Sequence, residues 1–218
     1  MANRRRVGNL LALAILAVLA PGRPMHPYEL AGVLRRTGKD RDMRIKWGSL
    51  YTVVGNLEKH GLIEPVASGR AGRRPERTVY AITEAGRAEL TDWVRELVAV
   101  PEPEHPRFEA ALSVLGVLPP AEAVALLTQR LSAIEADVAA GRAELARYAG
   151  VVADVFLIEV DYALAMREAE AAWVRALLAR IADGTLSGVE QWRAYHESGG
   201  VPPEWDQLLD DVGGQDGG

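Results

Sequence analysis

The chain is 218 residues long, 49% hydrophobic and free of cysteine; it can bury a sizeable core in one or two domains, and disulfides, thiolate nucleophiles and cysteine-ligated zinc are excluded. Its net charge of −5 hides a division: residues 1–98 hold 17 Lys/Arg against 10 Asp/Glu, whereas residues 99–218 hold 8 against 20. The acidic total therefore does not exclude nucleic acid, because a local basic field in the first half is enough to steer an anionic duplex.

Arg4, Arg5 and Arg6 precede LLALAILAVLA, and Val18-Leu19-Ala20 mimics a small-residue cleavage site, so a secretion leader has to be weighed. Pro21 directly after that site hinders cleavage, and the length disfavours a transmembrane span. We read the segment as a helix. Val7, Leu10, Leu11, Ala14, Ile15 and Val18 form one stripe, while Leu13, Leu16, Ala17 and Ala20 make the other face apolar too. Such a helix has to be buried on both sides, and the C-terminal helical region is its expected second partner. Pro21 to Pro24 is a turn. A second helix follows from about Pro27 to Thr37, with Pro27 suited to the first turn and Gly38 to the end. Arg35 and Arg36 fit either a phosphate contact or a solvated helix end. Residues 39–46, KDRDMRIK, are a charged connector of mixed sign.

From Lys46 to Thr83 the pattern is a helix, a sharp stop and a hairpin. Leu50, Val53, Val54 and Leu57 recur at the spacing of a buried helical stripe, leaving Ser49, Thr52, Gly55, Asn56 and Lys59 on the opposite face. That face is small and polar, and suits the roughly 12 Å wide major groove of B-DNA, where hydroxyl, amide and ammonium groups meet base edges or phosphates. Gly61 stands where a left-handed cap ends the helix. Leu62, Ile63 and Val66 supply one strand; Thr78, Val79, Tyr80 and Ile82 supply another. Between them, SGRAGRRPER offers Arg70, Arg73, Arg74 and Arg77 on a Gly- and Pro-punctuated loop, suited to phosphate or minor-groove contact.

MHPYEL, GSLYTVVGNLEKHGLI and GRRPERTVYAITEAGR, in this order and spacing, resemble the PadR family of bacterial transcriptional regulators over Met25 to Arg87. The helical remainder is similar to the dimerisation region of the longer members. Two motifs depart from the family: its frequent Ser-Pro pair before the recognition helix is Lys46-Trp47 here, with Ser49 sharing the capping role, and its common MHGYEL is MHPYEL. The resemblance implies DNA contact by the tyrosine of the SLY motif, Tyr51, and by the wing residues Arg73 and Arg74. For Tyr51 the alternative is core packing at the helix edge. The resemblance also implies an apolar or aromatic effector near a dimer interface, for which Trp93 and Trp173 are the candidates.

Thr83 caps a further helix through Glu84, Leu90, Trp93 and Leu97, and the prolines between Pro101 and Pro106 mark the best boundary in the chain. Arg107 to Leu118 makes a short helix stopped by Pro119-Pro120. Val124, Leu131, Val138 and Leu145 then interleave with Leu127, Ile134, Gly141 and Tyr148 in heptads; Leu157, Leu164, Ala171 and Leu178 interleave with Val160, Arg167, Val174 and Ile181 in a second series. The two helices, joined at about Gly150 to Ala153, can pack on each other, but the first helix's spare apolar face and the stripe of Phe156, Ala163 and Trp173 leave surface for another chain. A homodimer is the economical solution. Ser187-Gly-Val-Glu190 has the capping-box pattern before Trp192 and Tyr195. The tail beyond Gly199 is acidic and rich in Gly and Pro, with Trp205 and Leu208 able to dock locally.

His26, His60, His105 and His196 lack the spacing of metal ligands, and neither a phosphate loop nor a nucleophile elbow occurs. The expected architecture is mainly α: a winged helix-turn-helix with a two-stranded β wing over 1–98, a coiled-coil-like helical dimerisation domain over 107–183, and a tail over 184–218. With it goes a sequence-specific regulator of transcription, a repressor released by a small ligand. It would act as a cytoplasmic homodimer on a palindromic operator in double-stranded DNA, with no catalysis, cofactor or membrane. A winged-helix adaptor that binds protein instead of DNA is the alternative, and the arginine tip disfavours it.

Overall fold

The computed structural model describes residues 7–39, 43, 45–66 and 78–198. Arg4 to Arg6 and the tail residues Trp205 and Leu208 lie outside them. The backbone divides into two units, Met1–Pro103 and Glu104–Gly218.

The first unit is wrapped around α1 (Leu10–Leu19), which starts where the Asn9 side chain accepts the Leu11 N–H at 2.8 Å. Leu11, Ala12, Leu13, Ala14, Ile15, Leu16 and Leu19 are all buried. Each buried Leu or Ile contributes about 1.5–3 kcal/mol relative to exposure. The enclosing elements come from the same unit: α2 (Pro27–Arg36), α3 (Leu50–Lys59), α4 (Glu84–Ala99) and strand β2 (Val79–Ile82). The buried cluster around α1 is made of residues of its own unit, Leu30, Leu34, Val53, Leu57, Ile63, Ile82 and Trp93 among them. Met43 and Ile45, inside the expected charged connector, also pack against this core. Strand β1 (Ile63–Val66) pairs antiparallel with β2 in the register Ile63 to Ile82 and Val66 to Val79. Met25 adds one residue of pairing on the other edge of β2, exchanging backbone bonds with Tyr80 at 2.9 and 3.0 Å. That isolated bridge has no signal in the sequence, being a single residue directly after Pro24.

In the second unit, α5 (Arg107–Leu112) is shorter than expected and is followed by a 3₁₀ turn at Leu115–Val117. Pro119 and Pro120 do more than stop it: Pro120 opens α6 (Pro120–Tyr148), where a missing N–H costs nothing. After Gly150 at φ +75° and a 3₁₀ turn at Asp154–Phe156, α7 (Ile158–Ala182) packs back along α6. The heptad seams face each other within the chain: Leu127, Ile134, Ala171, Val174 and Ile181 are buried, and a Cβ on Gly141 would lie 2.6 Å from a Leu164 methyl. Among the described residues four ion pairs cross the hairpin, including Arg167 to Asp137 at 3.0 Å and Arg175 to Glu135 at 2.5 Å. The last helix among the described residues, α8 (Val189–Ser198), is preceded by Gly188 at φ +84°, so Ser187 does not stand at its cap position. The Trp192 indole N–H donates to the Leu118 carbonyl at 2.9 Å and ties α8 to the start of α6.

Gly86, buried at the start of α4, approaches β1 so closely that a Cβ there would sit 2.0 Å from the Leu62 carbonyl oxygen. Gly86→Ala forces backbone apart, not a flexible side chain, and is expected to cost about 1–3 kcal/mol. The measurement is urea unfolding, with a lower midpoint at unchanged m-value as the expected outcome.

Candidate nucleic-acid interface

The start of α3 is built differently from a capped helix. Trp47–Ser49 forms a 3₁₀ turn, and the Ser49 hydroxyl donates to the Lys46 carbonyl at 2.8 Å instead of accepting from the first turn of the helix. Ser49 thus does not act as the expected cap: its backbone is already helical, which turns the hydroxyl back toward the preceding residues. The half-buried Trp47 ring packs against the core on one side and receives the Arg35 guanidinium at 4.4 Å on the other. This contact links the end of α2 to the start of α3, and it takes Arg35 out of the set of free cations.

Once Leu50, Val53, Val54 and Leu57 are buried, the helical period turns Thr52, Gly55, Asn56 and Lys59 to solvent, and all four are exposed; Ser49 is half-buried. Tyr51 is 67% exposed, so its ring projects outward and does not pack into the core. At Gly55 a Cβ would meet nothing within 4 Å. The face is therefore about 15 Å long, low in the middle, with a phenol near its start and an ammonium in its last turn. The amide of Asn56 can pair with a base edge, and the Tyr51 and Thr52 hydroxyls and Lys59 can reach phosphate oxygens. Gly61, at φ +69°, ends the helix and turns the chain into β1.

The wing is anchored to this helix by two polar contacts that no short-range pattern announces. Thr83 donates to the Gly61 carbonyl at 2.7 Å while accepting the Gly86 N–H at 3.0 Å, so one side chain both caps α4 and holds the end of α3. The Tyr80 hydroxyl of β2 donates to Glu58 on α3 at 3.2 Å. Burial, followed by the adjacent Glu58 carboxylate and the bond to it, raises the Tyr80 pKa above its ordinary 10.0. Arg70, Arg73, Arg74 and Arg77 belong to residues 67–77, outside the described residues. At the N-terminus of α2, His26 Nδ1 accepts the Tyr28 N–H at 3.1 Å and Glu29 accepts the His26 N–H at 2.8 Å. That is a capping box with histidine in the place of serine, and the spacing of His26 and Glu29 was its available signal.

The two effector candidates lie in different units. Trp93 is 4% exposed and belongs to the core around α1. Trp173 is 49% exposed and stands edge-on to Phe108, with ring centroids 6.1 Å apart, while Phe108 covers the Arg130 guanidinium at 3.7 Å. Among the described residues no group of three or more His, Asp or Glu could hold a metal ion, and no helix is long and apolar enough to cross a membrane.

Residues 15–92 match the family described as the transcriptional regulator PadR-like family. No curated protein matches the sequence. Among solved structures, Bacillus subtilis PadR in complex with operator DNA is 21% identical with a TM-score of 0.63, covering 78% of this chain and 98% of that one. The same protein in complex with p-coumaric acid is 20% identical with a TM-score of 0.64, covering 78% and 97%. The Vibrio cholerae virulence activator AphA is 20% identical with a TM-score of 0.58, covering 79% and 98%. At these identities the likeness establishes the fold: a winged helix followed by further helices.

The Tyr80 contact has a consequence for stability at high pH. A pKa raised in the folded state means stabilisation that is whole below the ordinary value of 10.0 and is lost as pH climbs through the folded value. Tyr80→Phe removes that loss. Unfolding midpoints measured from pH 9 upward are expected to fall less steeply in Tyr80→Phe than in the parent chain; parallel profiles would show that Tyr80 does not prefer its neutral form in the fold.

Proposed function

We propose, on the premise that residues 15–92 are a PadR-like regulator domain, that this chain is a cytoplasmic, sequence-specific DNA-binding regulator of transcription. It is not an enzyme. It acts as a homodimeric repressor, with residues 1–98 reading a palindromic operator, residues 107–183 joining two copies and residues 184–218 forming a tail. The observation that carries the reading is α3, which buries one stripe completely and turns Tyr51, Thr52, Asn56 and Lys59 outward around an open Gly55. Asn56 reads base edges; Ser49, Tyr51, Thr52 and Lys59 position the helix; Arg70, Arg73, Arg74 and Arg77 hold the backbone. A small apolar or aromatic effector releases the repressor, a chemistry supported by the p-coumaric acid complex of Bacillus subtilis PadR and by the half-exposed Trp173 beside Phe108.

Reading and holding draw on different energies, so two variants separate them. Arg73→Ala with Arg74→Ala is expected to weaken operator and scrambled duplexes alike and to lower the slope of log affinity against log salt by about 2 to 4 units per dimer. Asn56→Ala is expected to cost about 1–3 kcal/mol per half-site on the operator alone, with the slope unchanged. Binding isotherms at three salt concentrations test both. A slope that falls with Asn56→Ala and stays with the arginine pair reverses the assignment.

For the dimer, Leu164 and Leu178 are poor probes, because Leu164 fills the Gly141 gap and Leu178 packs on the second core. Tyr162 and Trp173, 66% and 49% exposed on α7, are better. Tyr162→Glu with Trp173→Glu puts two charges on that face without emptying the core. Sedimentation at micromolar concentration is expected to show a parental dimer and a monomeric variant with unchanged helix content; a dimer in both cases places the interface elsewhere.

A further inference from the structure

Beside α2, on the face opposite its buried stripe, lies an open groove with a cavity volume of about 310 Å³. Its floor is Gly32, where a Cβ would meet nothing within 4 Å. Arg23 and Arg36 line it, with Tyr28 71% exposed and Met25 between the groove and β2. The one carboxylate in the lining, Glu29, already accepts the His26 N–H at 2.8 Å and so serves the helix start. Arg35, next to Arg36, is placed over Trp47. Arg23 and Arg36 face no carboxylate in any ion pair among the described residues. Two exposed guanidinium groups and a phenol around a cavity of this size match a tetrahedral oxyanion, to which guanidinium donates in pairs.

We propose that this groove binds a phosphate group through Arg23 and Arg36, with the Tyr28 hydroxyl as a third donor. The phosphate comes from the backbone of the bound duplex or from a free phosphate or phosphate ester. The duplex source rests on the functional reading above; the free source does not, so one can fail without the other. The groove is a second anion position, with no residue of α3 in its lining.

Two variants of the full chain test it. Arg23→Gln with Arg36→Gln removes the donors, and Gly32→Leu fills the floor while keeping every charge and replacing a helical glycine by a better helix former. In the free arm, inorganic phosphate is titrated against chloride at matched ionic strength and the thermal midpoint is read. Phosphate stabilises proteins in general by exclusion from their surfaces, so the signal is the excess rise of the parent over both variants. In the duplex arm, a scrambled duplex is titrated at three salt concentrations, and a loss of about two units of salt slope per protomer in the arginine variant, shared in part by Gly32→Leu, is expected if both guanidiniums meet the backbone. An excess midpoint rise with unchanged slopes assigns the site to a free phosphate; a slope loss without it assigns the site to the duplex. Equal midpoint rises in all three chains with equal slopes overturn the proposal, as does a slope loss confined to the arginine variant, which reduces the two charges to general attraction.

Discussion

A helix that is apolar on every side can persist in water only if other elements wrap it, and α1 imposes that condition on the first unit. Its seven buried residues are met by α2, α3, α4 and β2, each of which gives up one apolar stripe. An amphipathic helix that gives up one stripe must expose the other. The outward face of α3 is thus fixed by the burial of Leu50, Val53, Val54 and Leu57, and not by any contact that Thr52, Asn56 or Lys59 makes. A surface held in this way can vary in its side chains without loss of the fold.

Fine positioning is added by a few polar ties at the ends of α3. Arg35 over Trp47 acts at its start; Thr83 on Gly61 and Tyr80 on Glu58 act at its end. Each is an exposed or half-exposed contact worth on the order of 1 kcal/mol, too little to determine the fold against a core of many buried Leu and Ile side chains. Their effect is angular. They link α3 to α2 and to the wing strand β2, so that its outward face is held in one orientation relative to the flanking strands.

The elements of the first unit were legible where the signal is local. The α3 stripe, Gly61, the Thr83 cap and the two strands follow from periods and punctuation. What escaped was whatever depends on distant partners: Met25 alongside β2, Met43 and Ile45 packing on the core from within a charged stretch, and Glu58 bonded across to Tyr80. The partners of α1 escaped for a related reason. An all-apolar helix states that it is surrounded but carries no information about by what. For Ser49, a cap was expected from residue type alone, whereas capping needs an extended backbone at that residue, and the preceding 3₁₀ turn leaves it helical. The loop arginines lie beyond the described residues, so that part of the candidate site rests on composition.

Heptads carry a similar ambiguity, since the same a and d positions serve a seam within one chain or between two. Gly141 resolves part of it, because the missing side chain at a seam position is the space that Leu164 of the same chain fills. The polar flank agrees, with Arg130, Arg142, Arg167 and Arg175 each facing a carboxylate across the hairpin. Those pairs also bear on where a duplex can lie. Residues 99–218 hold 8 basic against 20 acidic side chains, and among the described residues five of the arginines, these four and Arg193, are held beside carboxylates, so little free positive charge is left to offset the excess. A polyanion is repelled from such a surface and drawn to the basic first half. The charge division along the chain thus places the positive field in one unit and sets the exposed apolar residues on α7, from Ile158 to Trp173, within the acidic one.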